Sequence, residues 1–395
     1  MNFLSLLSTI GMLMLRPTAL GSTVSSVGIF VIFIASILKI YSNGRVGWLK
    51  TQTFDINSIQ VLLALALWGY SISLTAILQK SNFDYAWKAT ALVSISVICA
   101  HILQSDRTTS THFFSIFAKL NGAIGWSILI STLLIPVLGY DKIKLLTFEN
   151  KGYEGWDFNG DILFPFSLVY GYLSEYGIYR FSGFSREVGI AQAFFAWSFV
   201  FISINNGKPF WRLGCVLGVL FCGSSGAFLT LGLSYGLLKL SKRNRTPIGL
   251  LVMLIAAAAA IALTIYAPGV GLQDKQETHL DSQLDREFAL SFAMNHASEL
   301  WFGNGLYYLY TPYDGMGINA ISSIYYIGII GVCLYVAIFI APLFFAATDK
   351  FIYLALISPL LLTALFLQPL IDAPLVYVLI MYIPTVERPH TNQLR

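Results

Sequence analysis

Long apolar stretches recur along this chain from its first residues almost to its last, many of them near the ~20 residues that an α-helix needs to cross a bilayer. Hydropathy places them at Phe3–Leu15, Leu20–Leu38, Ile59–Leu78, Thr90–Leu103, Gly122–Leu138, Val188–Ile204, Trp211–Cys222, Gly226–Leu238, Pro247–Tyr266, Ile318–Ala346, Phe351–Leu367 and Leu370–Ile383. Charge is scarce to match. Asp, Glu, Lys and Arg make up 11% of the 395 residues, against about 25% in an ordinary soluble domain. The expected fold class is all-α: one polytopic integral membrane domain over residues 1–395, with about twelve transmembrane helices in a lipid bilayer.

Two long wet segments interrupt the pattern, Gly139–Glu187 and Ala267–Gly317. Orientation follows from the basic cluster KLSKRNR, Lys239–Arg245, because Lys and Arg in short loops strongly favour the cytoplasm. Threading the spans from that loop puts both long segments outside and both termini in the cytoplasm. The first positive side chain is Arg16, behind an apolar run, so the N-terminus lacks the basic region of a secretory signal and reads as a first span. Cys99, Cys215, Cys222 and Cys333 lie inside apolar stretches without CxxC spacing, which suits small core side chains rather than a disulfide or zinc site. The net charge of +4 does not argue for nucleic acid, because what counts here is the side of the membrane that each charge faces. Glycines four apart, Gly214 with Gly218 and Gly232 with Gly236, are expected to let helices approach closely.

The first wet segment carries FENKGYEGWDFNGD, Phe148–Asp161, whose rings beside carboxylates and Asn suit sugars, although such rings also belt ordinary membrane interfaces. The apolar run after it, ILFPFSLVYGYL, is expected to form an interfacial or re-entrant helix. The second segment opens as a loop and then reads as an amphipathic helix, with Leu280, Leu284 and Phe288 on one face and a glycine stop at Gly303–Gly305.

Against this background YRFSGFSREVGI, Tyr179–Ile190, concentrates Arg180, Arg186 and Glu187 just before a span. Charge at the bilayer centre costs on the order of 3 kcal/mol per residue, so charges at its edge persist where water reaches them or where they are used. A guanidinium holds a phosphate through two parallel hydrogen bonds and keeps its proton, which suits a lipid-linked diphosphate. Arg286 offers a second such group from the other wet segment, and Gly183 and Gly189 let the backbone bend and approach a ligand. The alternative is that Arg180, Arg186 and Glu187 serve as interfacial anchors or an internal salt bridge. Glu175 and Asp161 compete for any carboxylate role, and His279 and His296 are the outward histidines.

RFSGFSREVGI resembles the R-x-x-G-x-x-x-E-P-G segment of Wzy-type polysaccharide polymerases, within the superfamily that joins O-antigen polymerases and ligases. CGSSGAF, with Ser224 and Ser225, is similar to the Ser-rich turn that follows in that family. REFALSFAMNHASELWFGNGL is similar to its second outer loop, and INAISSIYYIGIIGV, with Asn319, to the next span. The likeness covers Arg180–Val332. Two positions depart from it: Val188 stands where the family has proline, and Gly317, Ile318 and Asn319 leave no histidine where ligases carry one.

The resemblance implies a GT-C-like membrane glycosyltransferase at the periplasmic face of a bacterial inner membrane. It would move a growing glycan from undecaprenyl diphosphate to the non-reducing end of an incoming lipid-linked repeat unit, without metal or other cofactor. Arg180 and Arg286 would hold the diphosphate, with Arg186 as a weaker candidate, and Glu187 would be the general base ahead of His296, Glu175 and Asp161. Direct displacement would invert the anomeric centre. A chain-length regulator and a flippase are the partners the family implies. A ligase acting on lipid A core is the nearest alternative, and a lipid-linked oligosaccharide flippase the alternative of another class.

Overall fold

The computed structural model describes residues 3–19, 21–42, 56–78, 83–105, 107–153, 156–173, 178–241, 247–266, 300–306, 319–345, 349–368 and 370–383, with scattered positions between 284 and 295. The chain is mainly helical. Helices α1 (Phe3–Leu13), α2 (Gly21–Ser42), α3 (Ile56–Leu78), α4 (Phe83–Gln104) and α5 (Arg107–Leu138) precede a small sheet. After the sheet come α6 (Val188–Ile204), α7 (Pro209–Phe221), α8 (Gly226–Leu240), α9 (Pro247–Tyr266), α10 (Ile324–Phe345), α11 (Lys350–Leu362) and α12 (Pro374–Ile380). Among the described residues six helices are long and apolar enough to cross a membrane, and α1, α6, α7 and α8 are shorter apolar helices. α5 starts well before its apolar stretch because its first turns, RTTST, and Lys119 interrupt the hydropathy without interrupting the backbone.

The first outer segment departs from expectation. Lys144–Tyr153, Trp156–Leu163, Ser167–Leu173 and Ile178–Gly183 form an antiparallel meander, β1 to β4 in order. The fold is therefore not purely α, and Ile162–Leu173 holds strands in place of the expected interfacial helix. The composition is compatible with this, since SLVYGYL carries a β-branched residue and two tyrosines, which fit a half-buried pleat. Leu163, Val169 and Phe181 point into a core shared with α5, α6 and α7.

α6 is the axis of the bundle. Almost every residue from Val188 to Ile202 is buried, as expected of a helix that is apolar all round. It packs against α5, α7, α8 and α11. Trp197 stacks on Phe201 and meets Phe114, Phe117 and Tyr382. The glycine pair on α7 does what its spacing predicts. A Cβ built at Gly214 would lie 2.1 Å from Gly122 O on α5, and one at Gly218 would lie 2.6 Å from the Phe195 ring.

Gly303 and Gly305 have positive φ, yet what they contact is α10. That helix is broken at Gly328 (φ 68°, ψ 176°). Ile329 N donates to Leu300 O and Gly305 N to Tyr326 O, at 3.0 and 2.9 Å. The irregular segment thus satisfies backbone groups that the break exposes, the condition for non-helical chain at membrane depth.

Candidate functional site

The up-and-down course of the helices brings their turns together at one end. At the other end Gln60, near the start of α3, donates to Ile338 O and Ile380 O and ties α3, α10 and α12 together. At the first end, β4 leads through Gly183, whose φ of 61° places it in the left-handed region, into Phe184–Ser185–Arg186 and then α6. Ser185 N closes this turn on Ser182 O. Glu187 is the N-cap residue of α6, but its carboxylate makes no capping bond. It is 28% exposed and lies 3.8 Å from Arg186 Nε. Arg186 itself is buried.

The α1–α2 turn is laid along this segment. Thr18 bridges Ser185, Ala19 N donates to Phe184 O, and Arg186 N donates to Pro17 O. Arg16 is thereby brought to the same end, where it pairs with Asp372 at 3.2 Å and its carbonyl accepts from Leu375 N. In the sequence Arg16 stands out only as the first positive charge, a lone cation between two apolar runs.

Arg180 lies against the α7–α8 turn. A Cβ at Gly223, where φ is 73°, would sit 3.1 Å from Arg180 Cγ, so glycine there lets the arginine's stem rest on the backbone. Ser224 and Ser225 complete this turn and are buried. Ser225 is the N-cap of α8, without a side-chain cap bond. The N-termini of α6 and α8 therefore lie at the same end of two packed helices, each with the positive end of its dipole there.

Gly189 and Gly226 make room for two glutamines. A Cβ at Gly189 would meet the Gln368 side chain at 2.9 Å, and one at Gly226 would meet Gln192 Nε2 at 2.9 Å. Gln192 is fully buried, and among the described residues neither of its amide atoms has a hydrogen-bond partner. Gln368 follows a five-residue π-helix, Thr363–Leu367, that ends α11. Neither glutamine stands out in the sequence, because each sits within or beside an apolar run. Asn319 plays a structural part, since its Oδ1 accepts from Ser322 N at 2.8 Å and its Nδ2 donates to Phe366 O at 3.2 Å.

The other expected site residues are elsewhere. Asp161 is on β2, where it accepts from Tyr140 Oη at 2.7 Å and Thr147 Oγ1 at 2.9 Å and pairs with Lys144 at 2.9 Å. Burial raises its pKa, but the hydrogen bonds from Tyr140, Lys144 and Thr147 and the lysine's charge outweigh that and leave it lowered. A carboxylate so held is a poor proton acceptor. Glu175, Arg286, His279 and His296 lie outside the described residues. Among the described residues no three His, Cys, Asp or Glu side chains cluster as metal ligands would.

Chemically, this end of the bundle combines guanidinium groups, two helix N-termini and two partly exposed carboxylates, Asp372 paired with Arg16 and Glu187 beside Arg186, an arrangement suited to an anion next to a proton acceptor. No family model, curated protein or solved structure matches the chain.

Proposed function

We propose that this chain is a membrane glycosyltransferase that polymerises lipid-linked oligosaccharide units. Glycan would pass from a polyprenyl diphosphate to the terminal sugar hydroxyl of an incoming unit. The observation that carries the reading is that Arg180, Arg186 and the Arg16–Asp372 pair lie at the same end of the bundle as the N-termini of α6 and α8, with a carboxylate, Glu187, that no cap bond occupies. In this reading Arg180 and Arg186 stabilise the charge that grows on the diphosphate as its bond to the sugar breaks. Glu187 takes the proton of the attacking hydroxyl, and its neighbour Arg186 orients it. Arg286 joins from the second outer segment. The site faces the periplasm of a bacterial inner membrane with both termini in the cytoplasm, where a flippase delivers the units and a chain-length regulator ends growth. The likeness of Arg180–Val332 to Wzy-type polymerases supports the same reading.

The test is reconstitution: purified protein with a lipid-linked repeat unit and no other enzyme, with product lengths read on a gel beside Glu187→Gln. A ladder that lengthens with time and is lost in Glu187→Gln is the expected result. Movement of a preformed chain onto lipid A core, or of the intact lipid across a vesicle, with no ladder, would replace the reading with ligase or flippase.

A further inference from the structure

A cavity of about 350 Å3 lies beside the arginine-bearing junction, between α5 and the β2–β3 hairpin. Ala123 and Ile124 of α5, Phe166 of the hairpin, Ala19 of the α1–α2 turn, and Gly183 and Phe184 line it. Its surface is mainly hydrocarbon. The hydroxyl of Ser127, on the same wall, bonds Ser167 Oγ at 2.8 Å and accepts from Phe166 N at 2.9 Å, and so offers little to a polar guest. Phe166 is 76% exposed and forms the outer lip, with Phe164, 50% exposed, in the same hairpin turn.

An apolar space of this kind holds water poorly, and burying hydrocarbon there is favourable by about 0.8 kcal/mol per methylene. What distinguishes this one is its neighbours. Gly183 and Phe184 are wall residues, and the same segment carries Arg180 three positions before Gly183 and Arg186 two positions after Phe184. Neither arginine lines the cavity, but an apolar slot whose wall segment carries a guanidinium group on each side in the chain matches a molecule with an anionic head and a hydrocarbon tail.

We propose that this cavity holds the first isoprene units of a polyprenyl diphosphate whose diphosphate lies at Arg180 and Arg186. The inference rests on the functional reading above for the nature of the head group. It makes the junction a two-part site in which the tail sets the depth of the diphosphate relative to Glu187.

The experiment measures binding of farnesyl diphosphate and of inorganic pyrophosphate to the purified full-length protein in detergent. The wild type should bind farnesyl diphosphate at least about 10-fold more tightly than pyrophosphate, a gap of about 1.4 kcal/mol. Ala123→Phe fills the cavity and should remove that preference while leaving pyrophosphate binding unchanged. Phe166→Ala, at an exposed position that tolerates truncation, should reduce the preference without loss of folding. Arg180→Ala should weaken both ligands. Equal affinity for the two ligands in the wild type, or a preference that survives both cavity variants, overturns the proposal. Cross-linking of photoreactive phosphatidylcholine to the cavity walls with no farnesyl preference also overturns it, in favour of an ordinary bilayer lipid. The two readings fail separately: a farnesyl preference without a glycan ladder leaves the cavity assignment standing, whereas a ladder without the preference removes it.

Discussion

Gly223→Ala isolates how tightly Arg180 is held. Two costs arise. The first is backbone strain, since a left-handed conformation costs an L-residue about 1–2 kcal/mol. The second is contact: the new Cβ would stand 3.1 Å from Arg180 Cγ and 3.6 Å from its Cβ, where ordinary contact begins at 3.4 Å. The arginine stem must give by a few tenths of an ångström, and the displacement grows along the side chain to the guanidinium. Domains carry about 5–15 kcal/mol of stability, so the protein should still reach the membrane. Chain growth is expected to fall by about 10- to 100-fold, in line with the sensitivity of catalysis to misplacement near 1 Å. Gly139→Ala is the control. Its φ is 87°, so it carries backbone strain too, but a Cβ there meets nothing within 4 Å. The assay is the length ladder from reconstituted protein, normalised to the amount of folded protein. Equal activity in Gly223→Ala and wild type, or equal losses in Gly223→Ala and Gly139→Ala, would refute the claim that this turn positions Arg180.

Arg180→Lys should lose most of what Arg180→Ala loses, because an ammonium cannot reproduce the two-point fork on a diphosphate; full activity in the lysine variant would remove that role. Gln192→Leu replaces a buried amide with no hydrogen-bond partner among the described residues and should raise stability or leave it unchanged, by up to about 1–3 kcal/mol. A melting temperature several degrees below wild type would show that the amide is structurally bonded after all. Asp161 has a depressed pKa, so its contribution to the sheet is present above the unfolded carboxylate value near ~3.9 and is lost as pH falls through the lower folded value. Wild-type melting should therefore show an acid-limb loss that Asp161→Asn lacks; identical pH profiles between pH 2 and 7 would refute the assignment.

Legibility in the sequence differs by element. Helices occur at each expected apolar stretch because the bilayer's demand on length and composition is local. The sheet escapes such a reading because SLVYGYL is as apolar as a short interfacial helix, and only pairing with Trp156–Leu163 and Ile178–Gly183 commits it to a strand. GNG reads as a helix stop because positive φ is all that the motif encodes. Its partner, the break at Gly328, lies in the following helix, α10.

The candidate site divides in the same way. Hydropathy and charge density are properties of neighbours along the chain, so they suffice to establish a helical membrane protein with Arg180, Arg186 and Glu187 just before an apolar helix. Which of these groups stand together follows from the folded arrangement alone. Folding brings Arg16 to the end of the bundle that holds Arg186, lays Arg180 on Gly223, buries Gln192 against Gly226, and ties Asp161 into the sheet. Such meetings depend on close packing between helices far apart in sequence, where glycines admit backbone contact, and one-dimensional spacing carries no record of which surfaces will face each other.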